Sequence, residues 1–145
     1  MKIFIDTNIL ISAILCPNSK PDYAVLLIKN SPNIGMICEQ SITELYETFI
    51  KKFPRHMSYM EKFLSALLRT IEVVPIPLEH YEAEKNIREI KDRPLLRAAI
   101  RFGADFFLTG DKDFLESGIQ NPKMINASDF LELELNKNSK EEKIL

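Results

Sequence analysis

The stretch "IFIDTNILISA", residues 3–13, opens as a strand and places Asp6 inside a run of apolar residues. An ionised carboxylate buried without a partner is strongly destabilised or takes up a proton, so something must hold Asp6 in place. The runs "KIFI", "IGMIC", "EVVPI", "DFFLT" and "KMIN" are all brief, mostly apolar and flanked by turn or charged residues, which predicts strands. Helical patterns separate them, over 22–29, 39–52, 57–71, 79–90, 94–102 and 128–133. Within 57–71, Met60, Phe63, Leu64, Leu67, Leu68 and Ile71 follow the spacing of one buried helix face. Strands that alternate with helices pair in parallel, which implies a three-layer α/β/α sandwich around a central sheet of about five strands. Residues 1–133 form the expected domain, and the charged tail "ELNKNSKEEKIL", 134–145, is expected to fray.

Composition sets the outer limits. A chain of 145 residues is the size of one domain, and its 46% apolar and 28% charged residues are those of a globular protein. A net charge of −2 argues against capture of nucleic acid by a global positive field, so any such contact must be local or helped by metal ions. Two cysteines, Cys16 and Cys38, and two histidines, His56 and His80, lack the spacing of a zinc site, and reduced thiols are the expectation. Asp6 and Asn8 interrupt the first apolar run, Leu15 stands before Cys16 where a lipoprotein signal needs a small residue, and no later run approaches a membrane span. A cytoplasmic protein without membrane contact is expected.

In an open parallel sheet, ligands bind beyond the carboxyl ends of the strands, where successive connections run to opposite faces. Asp6 ends the first strand, and "TGDKDF" puts Asp111 and Asp113 at the same edge. Glu44, in "SITELYETF", and Asp92, in "KDRPLLRAAI", are further acids near helix starts. Each has a plainer explanation. Asp92 before Arg93 and Pro94 suits an N-cap, Ser41 with Glu44 spells a capping box, and Asp111 suits a cap for the helix through Phe114 and Leu115. Capping, however, gives no reason for four acids to converge. Two carboxylates about 4 Å apart repel by roughly 4 kcal/mol at an effective dielectric near 20, and a divalent cation removes that repulsion. All-oxygen donors suit Mg²⁺ or Mn²⁺.

"FIDTNILISAIL", Glu44 with Leu45, "KDRPLLRAAIRFGADFFLTGDKDF" and "INASDFL" resemble the PIN-domain family in order and spacing. The resemblance covers nearly the whole chain. It implies a metal-dependent endoribonuclease, similar to the toxin of a toxin–antitoxin pair, that leaves a 5′-phosphate and a 3′-hydroxyl. It maps Asp6, Glu44, Asp92 and Asp111 onto the family's catalytic and metal-binding acids, with Asp113 as a further acid beside the metal. Asn8 and Thr109 match polar residues that orient the carboxylates. Cys38 stands where relatives often have a serine helix cap.

Arg93, Arg97 and Arg101 recur every fourth residue and line one helix face beside Asp92, either to contact RNA phosphates or as a solvated face. "KKFPRH", 51–56, is a second basic patch with the same two readings. The helix at 57–71 suits core packing, and its Met and Phe content also suits a homodimer or antitoxin groove. A dehalogenase-type phosphatase needs an acid two residues after Asp6, where Asn8 stands; a receiver domain needs an acid after its third strand, and "EVVPIP" ends without one. An inactive PIN-like scaffold and a stand-alone RNA-processing nuclease remain as alternatives to the toxin.

Overall fold

The computed structural model describes residues 1–30 and 32–144, with side chains through residue 140. Five strands, β1 (Lys2–Ile5), β2 (Ile34–Cys38), β3 (Glu72–Val74), β4 (Phe106–Leu108) and β5 (Lys123–Ile125), form one sheet in the order β3-β2-β1-β4-β5. Every pairing is parallel, with Ile3 opposite Gly35 on one side and Phe106 on the other. Seven α-helices flank it among the described residues: α1 (Thr7–Leu15), α2 (Lys20–Lys29), α3 (Glu39–Lys52), α4 (Met57–Leu67), α5 (Arg93–Arg101), α6 (Lys112–Leu115) and α7 (Ala127–Ile144). The expected sandwich and its five parallel strands are therefore present.

Alternation along β1 divides the core. Ile3 and Ile5 face one way, onto Leu10 and Ile14 of α1, Val25 and Ile28 of α2, Phe49 of α3, Leu64 of α4 and Phe130 of α7. Phe4 faces the other way, with Met36, Phe107, Leu95 and Leu96 of α5, and Phe114 of α6. Phe107 stacks on Phe4 at 5.2 Å and on Phe114 at 4.5 Å between ring centroids. Because both faces are covered, the inner strands read as unbroken apolar runs.

Three segments differ from the sequence expectation. Residues 7–15, not assigned as a helix above, form α1, which buries Ile9, Leu10, Ala13 and Ile14 at helical spacing. Segment 79–90, expected as a helix, instead forms two 3-10 turns, Glu82–Asn86 and Ile90–Asp92. It has helix-forming residue types but no apolar stripe: Leu78 and Ile90 are exposed, and the buried positions are Glu84 and Ile87. Tertiary contacts of Glu84 override local propensity there. Finally, α7 continues as helix through the charged segment to Ile144. Cys16 is exposed and Cys38 buried, and neither is in a disulfide. No helix among the described residues is long and apolar enough to cross a membrane.

After α4 the chain turns and drops Ile71 onto β2 at Gly35. A Cβ on Gly35 would meet Ile71 Cδ1 and stand 2.6 Å from Ile28 Cγ2. Overpacking of this kind destabilises by about 1–3 kcal/mol, so Gly35→Ala is expected to lower the unfolding free energy by that much, read in urea as a lower midpoint without a change in slope.

Candidate active site

β1 and β4 are neighbours, yet the chain leaves β1 for α1 on one face and β4 for α6 on the other. Their carboxyl ends therefore flank the crevice where open α/β sheets bind ligands. Asp6 is the first residue past β1, and its N–H donates to Leu108 O at 2.9 Å. Its carbonyl accepts from Ile9 N and starts α1, but its carboxylate makes no capping bond. That carboxylate accepts from Thr109 Oγ1 at 2.8 Å instead, with Asp6 only 3% exposed and Thr109 fully buried. Thr109 Oγ1 accepts in turn from Asp111 N at 3.0 Å, and Asp111 Oδ1 accepts from Asp113 N at 2.9 Å. One hydroxyl thus ties the end of β1 to the start of α6.

The capping explanations divide. Asp111 does cap α6. Asp92 stands at the N-cap of α5 without a side-chain capping bond. Ser41 and Glu44 form no capping box, because α3 begins at Glu39 with Cys38 in the cap position, and neither Cys38 nor any box partner supplies a side-chain bond there. The Ser41 hydroxyl is buried and accepts from Thr7 Oγ1 at 2.8 Å, which pins α3 to α1.

The four acids act on one another electrostatically. Burial pushes the Asp6 carboxyl up to about 7; the Thr109 hydrogen bond opposes this, and the charges of Asp92, Glu44 and Asp111 add to it. Burial likewise raises Asp92, followed by Asp111, Glu44 and Glu89, against a smaller pull from Lys91. Acids from four separate parts of the chain thus act on one another at a single sheet edge. Asp113 meets Asp111 alone, through its backbone N–H. Asn8 is exposed and lines two grooves, of about 640 and 560 Å³. The first runs past Ser12, Gly110, Asp111 and Lys112; the second past Gln40, Glu44, Lys91 and Asp92.

As a donor set, these carboxylates suit a hard divalent cation, since they are all oxygen and they crowd a buried acid with like charge. Among the described residues, however, no three His, Cys, Asp or Glu side chains are gathered closely enough to hold an ion as they are placed. The backbone brings the acids to one edge, and the side chains would have to draw closer together to share an ion.

The expected arginine stripe needs correction. Arg97 is buried, with Nη2 donating to Glu84 Oε1 at 2.8 Å and Nη1 to Pro77 O at 3.2 Å, and with Nη2 3.2 Å from His80 Nδ1. It cannot face a nucleic acid. Arg93 Nε donates to Ile87 O, and Arg101 is exposed with its guanidinium 5.8 Å from the Phe102 ring centroid. Two polar contributors went unseen in the sequence. Gln40 bonds Glu44, for which the four-residue spacing was a signal, and Glu84 pairs with Arg97, for which there was none.

The geometry defines a parallel α/β sandwich with carboxylates at its switch point. The family model described as PIN domain matches residues 2–113, a span that includes all five acids. The chain belongs to the PIN-domain family, whose members are in general nucleases. A solved structure of VapBC2 from Rickettsia felis bound to a DNA fragment from their promoter is similar in fold, with a TM-score of 0.66 at 20% identity, covering 87% of this chain and 98% of that one. None of the curated proteins matches.

Two stability predictions follow from these contacts. Thr109→Val strips Asp6 Oδ2 and the Asp111 N–H of their shared partner, for an expected loss of about 1–3 kcal/mol in urea denaturation that Thr109→Ser largely restores. For Glu84, burial pushes the carboxyl up, but the Arg97 hydrogen bonds, the Tyr81 N–H and the Arg97 charge outweigh it and hold it below 4.5. The pair's contribution is therefore fully present above about pH 4.5 and is lost as pH falls through the lowered value. Arg97→Met is expected to destabilise by about 3–5 kcal/mol at neutral pH, and the deficit should narrow as pH is lowered and the orphaned carboxyl protonates.

Proposed function

We propose that this chain is a metal-dependent endoribonuclease that hydrolyses RNA phosphodiester bonds in the cytoplasm as the toxin of a toxin–antitoxin pair. The observation that carries the reading is the convergence of Asp6, Glu44, Asp92 and Asp111 on the switch-point edge, with Asp6 almost fully buried among like charges. Family membership supports nuclease chemistry. RNA as substrate and an antitoxin as partner rest on the resemblance of the motifs, and a homodimer is a further proposal on the same footing.

Asp6, Glu44, Asp92 and Asp111 would hold Mg²⁺ or Mn²⁺, with Asp113 beside them. Such an ion, when bound, lowers the pKa of a coordinated water and polarises the phosphoryl oxygen. Thr109 holds Oδ2 of Asp6 and makes no hydrogen bond to Oδ1. Asn8, which the resemblance matches to a residue that orients the carboxylates, lines both grooves and would also meet the substrate. Lys91 and Lys112 supply one positive charge to each groove and suit a phosphate backbone. Neither His56 nor His80 lines either groove, so proton handling falls to the carboxylates.

A catalytically inactive scaffold is the second reading, favoured by the absence of a three-acid cluster among the described residues. End-labelled RNA separates the two. Cleavage is expected with Mg²⁺ or Mn²⁺ and none with a chelator, and Asp6→Asn should lower the rate at least about 100-fold while the melting temperature is kept. Undiminished cleavage by that variant would refute the assignment; absence of cleavage by the wild type with either ion would favour the scaffold.

A further inference from the structure

We propose that Gln40 is a positioning residue that sets the spacing between Glu44 and Asp92, and so tunes the affinity of the site for a divalent ion. The inference rests on the metal-dependent reading above. Gln40 is half-buried in the first turn of α3, one turn ahead of Glu44. Its Nε2 donates to Glu44 Oε1 at 2.7 Å and to Lys91 O at 3.2 Å. Both partners are pure acceptors, so only the amide nitrogen can face them, and the orientation of the side chain is decided by its surroundings.

The bond to Glu44 alone would be an ordinary contact between residues four apart on a helix. The bond to Lys91 is different in kind, because Lys91 lies 51 residues away and immediately precedes Asp92. One neutral group therefore clasps the helix that carries one acid to the backbone that carries another. Repulsion between Glu44 and Asp92 would drive these elements apart, and the clasp opposes it. Glutamine suits the task in a way lysine or arginine would not. A cation at this position would neutralise the acids and weaken their pull on a divalent ion, whereas an amide donates hydrogen bonds and leaves the negative charge intact. Gln40 touches no reacting atom in this account; it acts through Glu44 and the Lys91–Asp92 backbone.

Mn²⁺ binding by calorimetry, together with amide hydrogen exchange of the metal-free protein, tests the idea. Gln40→Met keeps the size of the side chain and deletes the donor. Its Mn²⁺ dissociation constant is expected to rise about 10-fold, in line with the loss of a group that orients a metal ligand. Exchange in 89–93 should quicken while the melting temperature and the exchange of β1 and β4 stay as in the wild type. Gln40→Ala should move in the same direction, and Thr43→Ala, on an exposed position of the same helix, should leave the affinity unchanged. Wild-type affinity in Gln40→Met would overturn the inference even if exchange quickens, since the clasp would then be structural only. Wild-type protein that binds no Mn²⁺ marks a different failure, that of the metal-dependent reading, and removes the inference with it.

Discussion

The hydroxyl of Thr109 on the carboxylate of Asp6 is the contact on which the rest of this edge depends. It spans the two strands that part company at the switch point, and it joins the end of β1 to the loop that carries Asp111. A hydroxyl at this position does two things at once. It satisfies one buried oxygen, and because it is neutral it leaves the charge of Asp6 uncompensated. The strand pairing beneath it, Asp6 N to Leu108 O and Thr109 N to Ile125 O, fixes the two residues side by side, so the geometry belongs to the sheet rather than to a mobile loop.

The same chain shows what it does with a buried carboxylate that has only a structural role. Glu84 is as inaccessible as Asp6, at 3% exposure, but it is met by a guanidinium, a backbone N–H and charge of the opposite sign. Asp6 has the neutral Thr109 hydroxyl to oppose its burial and the like charges of Asp92, Glu44 and Asp111. One buried carboxyl is paired with an arginine, and the other stands among further acids with a hydroxyl as its partner. This contrast, drawn within a single fold, sets Asp6 apart from a carboxylate held by pairing with an arginine.

How far the sequence could be read depends on what each signal measures. Buried parallel strands are short apolar runs, and "KIFI" and "IGMIC" coincide with β1 and β2. The amphipathic pattern of α3 marks its limits at Glu39 and Lys52. Where apolar residues fall on all sides, as in 9–15, periodicity has nothing to contrast with, and α1 went unassigned. In 79–90 helix-forming residue types suggested a helix, but propensity is a weak preference that the Glu84–Arg97 pair overrides. Arg97 was misplaced for the same reason: spacing along a helix gives the face, while the partner that buries that face comes from another segment. At the switch-point edge, Asp6, Glu44, Asp92 and Asp111 were legible as residue types at strand and helix ends. The closer approach an ion would require, and the reach of Gln40 to Lys91, lie in side-chain rotamers and long-range contacts that no local pattern encodes.

The two grooves on either side of Asn8 also bear on how a long substrate would be handled. One lies against Asp111 and the other against Glu44 and Asp92, and they share this one exposed wall. If the chain cuts RNA as proposed, a polymer laid from one trough into the other would pass Asp111 and the Glu44 and Asp92 side at its middle, so no free terminus would have to be found or seated before a bond came within reach. The two halves of a severed strand would then already occupy separate channels, each free to depart without displacing the other.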